Sequence, residues 1–260
     1  MYAHHRESVE RTTAHFAADR SVLALILGGS IAHGFAAEDS DVDVLIVVSD
    51  AEYAQRRRDA SLQFIDTDLC VYPNGYVDGK YLGQSLVRRI AECGSEPARY
   101  AFKDAQILFS RIDGLEQLVR EISRYPMKGK EERLQRFYAQ FETWHWYAHE
   151  GLKAQNRNLL GTAISKLVLF GGRLILTHNE MLYPFHKWFL HVLASAPDKP
   201  ADLMERIAAI YDNPSEDNLR AFYGCVAFHR PWPSDMTWSV RFVLDTELAW
   251  EDGRTPVDEL

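Results

Sequence analysis

Two aspartates separated by one residue, Asp41 and Asp43, form the pattern in this 260-residue sequence that most directly predicts chemistry. They stand at the start of the apolar segment Val42–Val48, which has the composition of a buried strand, and side chains two apart on a strand point to the same face. Adjacent carboxylates repel each other unless a cation lies between them, and Mg²⁺ prefers carboxylates together with substrate phosphates and water. An aspartate inside an apolar strand is also costly without a partner. The pattern therefore predicts a magnesium site at the beginning of this strand.

A third carboxylate is available on the next predicted strand, residues 62–72, which contains Asp66 and Asp68. These two aspartates have the same parity along a strand, so both could face the metal. Three carboxylates can hold two metal ions about 3.5–4 Å apart, the spacing that suits in-line displacement at phosphorus. The residues alone leave Asp66 and Asp68 open as the third ligand.

The segment Gly28-Gly29-Ser30 follows another predicted strand, Val22–Leu27. Glycine permits tight backbone geometry and the close approach of a ligand. Ser30 can open a short helix whose hydroxyl and amides face an anion. We expect Gly28, Gly29 and Ser30 to form a corner that binds a phosphate chain.

Together these segments resemble the signature of the nucleotidyltransferase superfamily, which has the DNA polymerase β-like fold. The resemblance lies in an apolar strand, Gly28-Gly29-Ser30, ten further residues, and then Asp41-Val42-Asp43-Val44. The second half of the chain is similar to the helical bundle of the small-molecule branch, which contains the aminoglycoside and lincosamide nucleotidyltransferases.

This resemblance implies that residues 28–30 hold a triphosphate, that Asp41 and Asp43 bind Mg²⁺ (two ions), and that a third acidic residue completes the site. The sequence that begins at Asp68 looks more like the family's acidic residue followed by an apolar strand. Asp68 is therefore the preferred third ligand and catalytic residue, and Asp66 is the alternate.

The resemblance implies an enzyme that transfers a nucleoside monophosphate to a hydroxyl and releases pyrophosphate. Among the nucleoside triphosphates we expect ATP as the donor, so that AMP is transferred. We expect a small hydroxylated acceptor, for example an aminoglycoside-like antibiotic. A protein or tRNA acceptor is one alternative, and a catalytically lapsed nucleotide-binding protein is another. Relatives of this type can share a site across a dimer, so a homodimer is an open expectation.

Cations for the phosphates are expected in the second half of the chain. Lys166 is the candidate for phosphate contact and Lys187 for contact with nucleotide or acceptor, although either could be a solvated lysine on a helix surface. The same half contains His145 and His149, which are four residues apart and could share a metal, although a helix core with partly polar edges is the preferred interpretation of this aromatic-rich stretch. The zinc-protease motif would require Glu at position 146, where Trp146 stands.

The elements that must position these residues change character near residue 125. Before that point, predicted strands at 22–27, 42–48, 62–72 and 106–109 alternate with predicted helices at 5–19, 51–60 and 81–93. After it, apolar residues repeat at helical spacing with almost no strand signal. We expect an α+β domain with an α/β-type sheet over residues 1–125, which binds metal and nucleotide. An all-α helical bundle over residues 126–260 would then contribute acceptor and nucleotide contacts.

Composition narrows the class of protein further. Lys and Arg total 29 and Asp and Glu total 37, a formal net charge of −8, which disfavours a protein that coats long nucleic acid. The apolar stretches 22–29 and 167–176 are shorter than the ~20 residues of a membrane span. With three widely separated cysteines and no apolar leader at the N-terminus, we expect a cytoplasmic protein without a membrane partner.

Overall fold

A five-stranded mixed sheet is the frame of the N-terminal unit in this computed structural model, which describes residues 1–253. The sheet has the order β3-β4-β2-β1-β5, in which β2 and β4 run parallel and the other neighbours run antiparallel. The strands are β1 (Val22–Leu27), β2 (Val42–Val48), β3 (Gln63–Asp66), β4 (Val77–Gly83) and β5 (Gln106–Ser110). Because β2 and β4 are parallel neighbours, their first residues meet at the same edge of the sheet.

Six helices accompany this sheet and cover both of its faces. They are α1 (Ala3–Ala18), α2 (Gly29–His33), α3 (Asp50–Arg58), α4 (Gln84–Cys93), α5 (Glu96–Tyr100) and α6 (Leu115–Ile122). Helix α1 packs on the face that contains Val44 and Ile46. Helices α4 and α6 pack on the opposite face, which contains Leu45. Asp43 has the parity of Leu45, so it lies on the α4–α6 side.

The third predicted strand needs a correction. Only Gln63–Asp66 of residues 62–72 is a strand, because the Asp66 carboxylate accepts hydrogen bonds from the amides of Asp68 and Leu69 and turns the chain. Strand β4 was not predicted, and helix α4 begins at Gln84 rather than at residue 81. The strands predicted at 22–27 and 42–48 are confirmed, and so is the mixed fold class.

In the described part of the second unit, residues 125–253, all regular structure is helical. Contacts within the chain divide it into Met1–Arg124 and Tyr125–Leu260, close to the predicted change at residue 125. The helices of the second unit are α7 (Lys130–Lys153), α8 (Arg157–His178), α9 (Phe189–Ala194), α10 (Leu203–Asp212), α11 (Glu216–Ala227) and α12 (Trp238–Asp245). Helices α7 and α8 form a hairpin and pack closely against each other. At Gly151 an added β-carbon would lie only 2.9 Å from the amide nitrogen of Leu160, so the two helices could not approach as closely with a larger residue there.

Helix α8 is long and apolar enough to cross a membrane, the one such helix among residues 1–253. Its most apolar window is 61% buried against neighbouring residues, as in the core helix of a helical bundle. Length and composition are therefore weak evidence for a membrane span here.

Candidate active site

Three aspartates converge at the edge of the sheet where β2 and β4 begin. Ligand oxygens of Asp41, Asp43 and Asp78 all lie within 4.8 Å of one another, and all three residues are half-buried. Asp43 and Asp78 are register partners on the parallel strands, and Asp41 precedes Asp43 by two residues. Within residues 1–253 no other set of three or more acidic, histidine or cysteine side chains is this close. An all-oxygen set of this kind suits Mg²⁺.

The third carboxylate is Asp78, which corrects the expectation of Asp68 or Asp66. Asp78 pairs with Ile65 across β3 and β4, whereas Asp66 pairs with Val77. Because paired residues share a face, the Asp66 side chain lies on the face opposite to the cluster. Asp68 is exposed in the turn that follows β3.

Strand β4 was not predicted because its sequence contains two glycines and the charged residues Asp78 and Lys80, a composition typical of a loop. A β-carbon at Gly79 would lie 2.7 Å from Cδ1 of Ile46 and 3.0 Å from Cβ of Phe64, so close packing requires the glycine. The signal that could have found the strand is the triplet Val77-Asp78-Gly79, an aspartate between two small or apolar residues as in Val42-Asp43-Val44.

The glycine corner lies directly against the acidic cluster. The amide of Gly28 donates a hydrogen bond to the carbonyl oxygen of Asp43 at 3.0 Å. Gly29 has a left-handed backbone with φ of +61°, and a β-carbon there would lie 1.8 Å from Oδ2 of Asp43. Only glycine therefore satisfies both the backbone conformation and the close approach.

Ser30 has the features of a ligand-binding hydroxyl. The residue is 5% exposed, and its Oγ has no hydrogen-bond partner among the described residues. A buried hydroxyl without a partner costs about 1–3 kcal/mol, which a phosphate oxygen at this corner would offset. The residues of the corner thus fit the phosphate chain that the sequence analysis predicted for them.

Neighbouring side chains hold the acidic cluster in place. Gln63 Nε2 donates to Oδ1 of Asp78 at 3.3 Å, and the hydroxyl of Tyr72 donates to the carbonyl of Ser40 at 2.6 Å, which anchors the residue before Asp41. The negative charge of Asp41, and then a hydrogen bond to it, raises the pKa of Tyr76. Tyr76 therefore stays a protonated donor beside the carboxylates.

A histidine at the other end of α2 was not anticipated from the sequence. His33 Nδ1 lies 3.3 Å from Oδ2 of Asp104, and its ring centroid is 4.7 Å from that of Tyr100. Burial lowers the pKa of His33, Asp104 opposes this effect, and the charge of Lys103 adds to it. Lys103 is thus a cation of the N-terminal unit close enough to His33 to act on its charge.

The two lysines predicted to bind the nucleotide lie in the helical unit. Lys166 is half-buried on α8. Lys187 is exposed before α9, with its Nζ 5.3 Å from the centroid of the Trp188 ring. Their contact with a nucleotide stays a prediction.

A family model covers the segment that contains this site. Residues 11–108 match the model of the nucleotidyltransferase domain family, a segment that contains Ser30, Asp41, Asp43 and Asp78. Among solved structures, the chain is similar to a nucleotidyltransferase-like protein from Exiguobacterium sibiricum 255-15, with 12% identity and a TM-score of 0.48 over 96% of this chain and 81% of that chain. Comparison with curated proteins gives no match. The N-terminal unit therefore contains a segment, residues 11–108, that is similar to the nucleotidyltransferase domain family.

Proposed function

We propose that the protein is a Mg²⁺-dependent nucleotidyltransferase that transfers a nucleoside monophosphate to a hydroxyl of a small molecule and releases pyrophosphate. ATP is the donor we test first. The observation that carries the proposal is the contact between the Asp41–Asp43–Asp78 cluster and the corner formed by Gly29 and Ser30. This contact brings a metal-binding set and a phosphate-binding set together within one unit.

Asp41, Asp43 and Asp78 would hold the metal, one or two ions, because their oxygens are close enough to act as a single ligand set. Bound Mg²⁺ would supply charge neutralisation at the phosphates and orient the triphosphate. The carboxylates are placed in advance by the register of β2 and β4 and by the hydrogen bond from Gln63 to Asp78. Little reorganisation is then needed when the nucleotide binds.

Ser30 would donate its hydroxyl hydrogen to a phosphate oxygen, since the hydroxyl is buried and has no partner among residues 1–253. The absence of a side chain at Gly29 lets the phosphate chain approach the backbone beside Asp43. Lys103 would add positive charge close to His33, the last residue of α2. These groups together favour a polyanion over a neutral ligand.

In the proposed reaction the acceptor oxygen forms a bond to the α-phosphorus. The bond from that phosphorus to the oxygen bridging to the β-phosphate breaks, and pyrophosphate leaves with the bridging oxygen. The acceptor hydroxyl loses its proton to a base, and we assign this role to an Asp78 carboxylate oxygen. Asp78 is the register partner of Asp43 on the neighbouring strand, so this base would belong to the same cluster as the carboxylates that hold the metal.

A small acceptor is favoured over long nucleic acid by the net charge of −8. A polynucleotide needs a cationic surface, whereas a small cationic molecule is compatible with an acidic protein. The nature of the acceptor is the least constrained part of the proposal.

The test is label transfer from α-labelled nucleoside triphosphates to a panel of hydroxylated antibiotics and metabolites, with a tRNA pool and whole-cell protein as separate arms. Expected is Mg²⁺-dependent labelling of a small molecule with one pyrophosphate per transfer, lost in Asp43→Asn. Label in RNA or protein would replace the proposed acceptor. Binding of ATP and Mg²⁺ without transfer to any arm would instead indicate a nucleotide-binding protein.

A further inference from the structure

Two histidines one helical turn apart on α7, His145 and His149, lie with their Nε2 atoms close to each other. The Nε2 atoms of His145 and His149 lie 3.0 Å apart, with ring centroids separated by 4.6 Å. Both residues belong to the helical unit, and the proposed nucleotidyl transfer assigns no role to them. The pair therefore needs an explanation of its own.

The distance between the two nitrogens suits a shared metal ion. With metal–nitrogen bonds of about 2.0–2.1 Å, a separation of 3.0 Å corresponds to an angle of about 91–97° at the metal. Such an angle is close to that between neighbouring ligands in octahedral and square-planar sites. Imidazole nitrogens are ligands for Zn²⁺, Ni²⁺ and Cu²⁺, whereas Mg²⁺ prefers oxygen.

The other nitrogen of His149 has the partner that a metal-binding histidine usually has. His149 Nδ1 lies 2.9 Å from Oε2 of Glu216, the first residue of α11. A carboxylate at this position accepts a hydrogen bond from Nδ1–H and so leaves the lone pair of His149 on Nε2. That lone pair accepts a hydrogen bond from His145 Nε2 at 3.0 Å, and a metal ion would take the place of the shared proton. Glu216 thus selects the tautomer of His149 that can act as a ligand.

His145 is held in place by its neighbours. Its ring stacks on that of Tyr223 at 3.8 Å with an interplanar angle of 12°, and the Tyr223 hydroxyl donates to Oε1 of Glu142 at 2.9 Å. These two contacts fix the position of the His145 imidazole beside His149.

Solvent has access to this pair. The side chains of His149 and Glu216 are 32% and 51% exposed, so an ion can enter without opening the helical unit. Within residues 1–253 no third acidic, histidine or cysteine side chain completes a set with the two histidines. Water would therefore fill the remaining coordination positions.

We propose that His145 and His149 bind one divalent transition-metal ion (Zn²⁺, Ni²⁺ or Cu²⁺) through their Nε2 atoms, with Glu216 as the positioning residue. This nitrogen site differs in ligand chemistry from the carboxylate cluster, and it does not depend on the proposed nucleotidyl transfer.

The test is calorimetric titration of the untagged full-length protein with NiCl₂ or ZnCl₂, in excess MgCl₂ to occupy the carboxylate cluster. One binding event is expected for the wild type. His145→Ala and His149→Ala should each abolish it, and His15→Ala, which changes an exposed histidine on α1, should retain it. Glu216→Gln should weaken binding about 10–100-fold, because it removes only the support of the ligand.

A second readout identifies the ligands directly. Electron paramagnetic resonance of the Cu²⁺-loaded protein should show coupling to two imidazole nitrogens in the wild type and to one in His145→Ala. Glu216→Gln keeps both ligands, so its weakened binding is the test to use if circular dichroism shows that an alanine variant does not fold. Unchanged metal binding in the double variant His145→Ala/His149→Ala, or no binding by the wild type, would overturn the proposal.

Discussion

Gly29 and Asp43 are in direct contact: a β-carbon added to Gly29 would lie 1.8 Å from Oδ2 of Asp43 and 2.4 Å from its Cγ. The glycine is the first residue of α2, just after β1, and the aspartate belongs to β2, the antiparallel neighbour of β1. A side chain at position 29 cannot coexist with the present position of the carboxylate. The glycine corner and the acidic cluster are therefore parts of one structure.

Gly29→Ala is expected to reduce nucleotidyl transfer by about 100-fold or more, because the methyl group displaces the Asp43 carboxylate from the metal set. The left-handed backbone adds about 1–2 kcal/mol of strain for a residue with a β-carbon. Steady-state kinetics and urea unfolding measure the two effects separately.

Gly114→Ala is the matched control, because Gly114 has a similar φ of +74° but no atom within 4 Å of an added β-carbon. It should lose similar stability and keep its kcat/KM. Equal loss of activity in both variants would mean that backbone strain, rather than contact with Asp43, is responsible.

Asp78→Asn should lower kcat by about 100-fold or more and weaken Mg²⁺ binding, because the third carboxylate of the cluster loses its charge. Asp68→Asn should leave both quantities unchanged, since Asp68 is exposed in the turn after β3. Kinetics at several Mg²⁺ concentrations distinguish the two aspartates. Loss of activity in Asp68→Asn with normal activity in Asp78→Asn would restore the assignment predicted from sequence.

Ser30→Ala should have opposite effects on stability and on function. The free protein should be as stable as the wild type or more so, because a buried hydroxyl without a partner is removed. KM for the nucleotide should rise about 10-fold, the loss expected for a hydrogen bond to a charged phosphate. Thermal unfolding with and without ATP measures both, and a clear loss of stability without ligand would contradict this role.

The ion pair between Arg136 and Asp245 should be the costliest pair to break in the helical unit. Arg136 Nε lies 3.0 Å from Oδ1 of Asp245, with the two side chains only 14% and 2% exposed. Asp245→Ala should cost about 3–5 kcal/mol, because it leaves a buried guanidinium charge without this carboxylate.

Lys153→Ala is the control for that change, since Lys153 and Glu150 form an exposed pair at 3.7 Å on the same helix as Arg136. Its effect should lie within about 1 kcal/mol, as for most surface pairs. Denaturant unfolding followed by circular dichroism gives both values. A small effect of Asp245→Ala would mean that water or another group replaces the carboxylate.

Local sequence patterns were enough to predict the glycine corner and two of the three aspartates of the cluster. The strands Val22–Leu27 and Val42–Val48 are long apolar runs, so burial alone identifies them. Gly28, Gly29 and Ser30 stand between these strands, and the parity of Asp41 and Asp43 already places both carboxylates on one face. The resemblance to the nucleotidyltransferase family and the mixed fold class followed from these short-range patterns.

The third carboxylate depended on contacts that no local pattern contains. Strand β4 contains two glycines and a lysine, and it is a strand because β2 and β3 provide hydrogen-bonding partners on both sides. Asp66 does not join the cluster because the register that pairs Ile65 with Asp78 places its side chain on the opposite face. Asp68 does not join it because it lies in the turn that the Asp66 carboxylate stabilises. Sequence by itself determined the mixed fold class and two of the three aspartates of the cluster, because these rest on neighbours along the chain. Only the tertiary structure decided that Asp78 joins them, because strand pairing between distant segments sets which side chains meet.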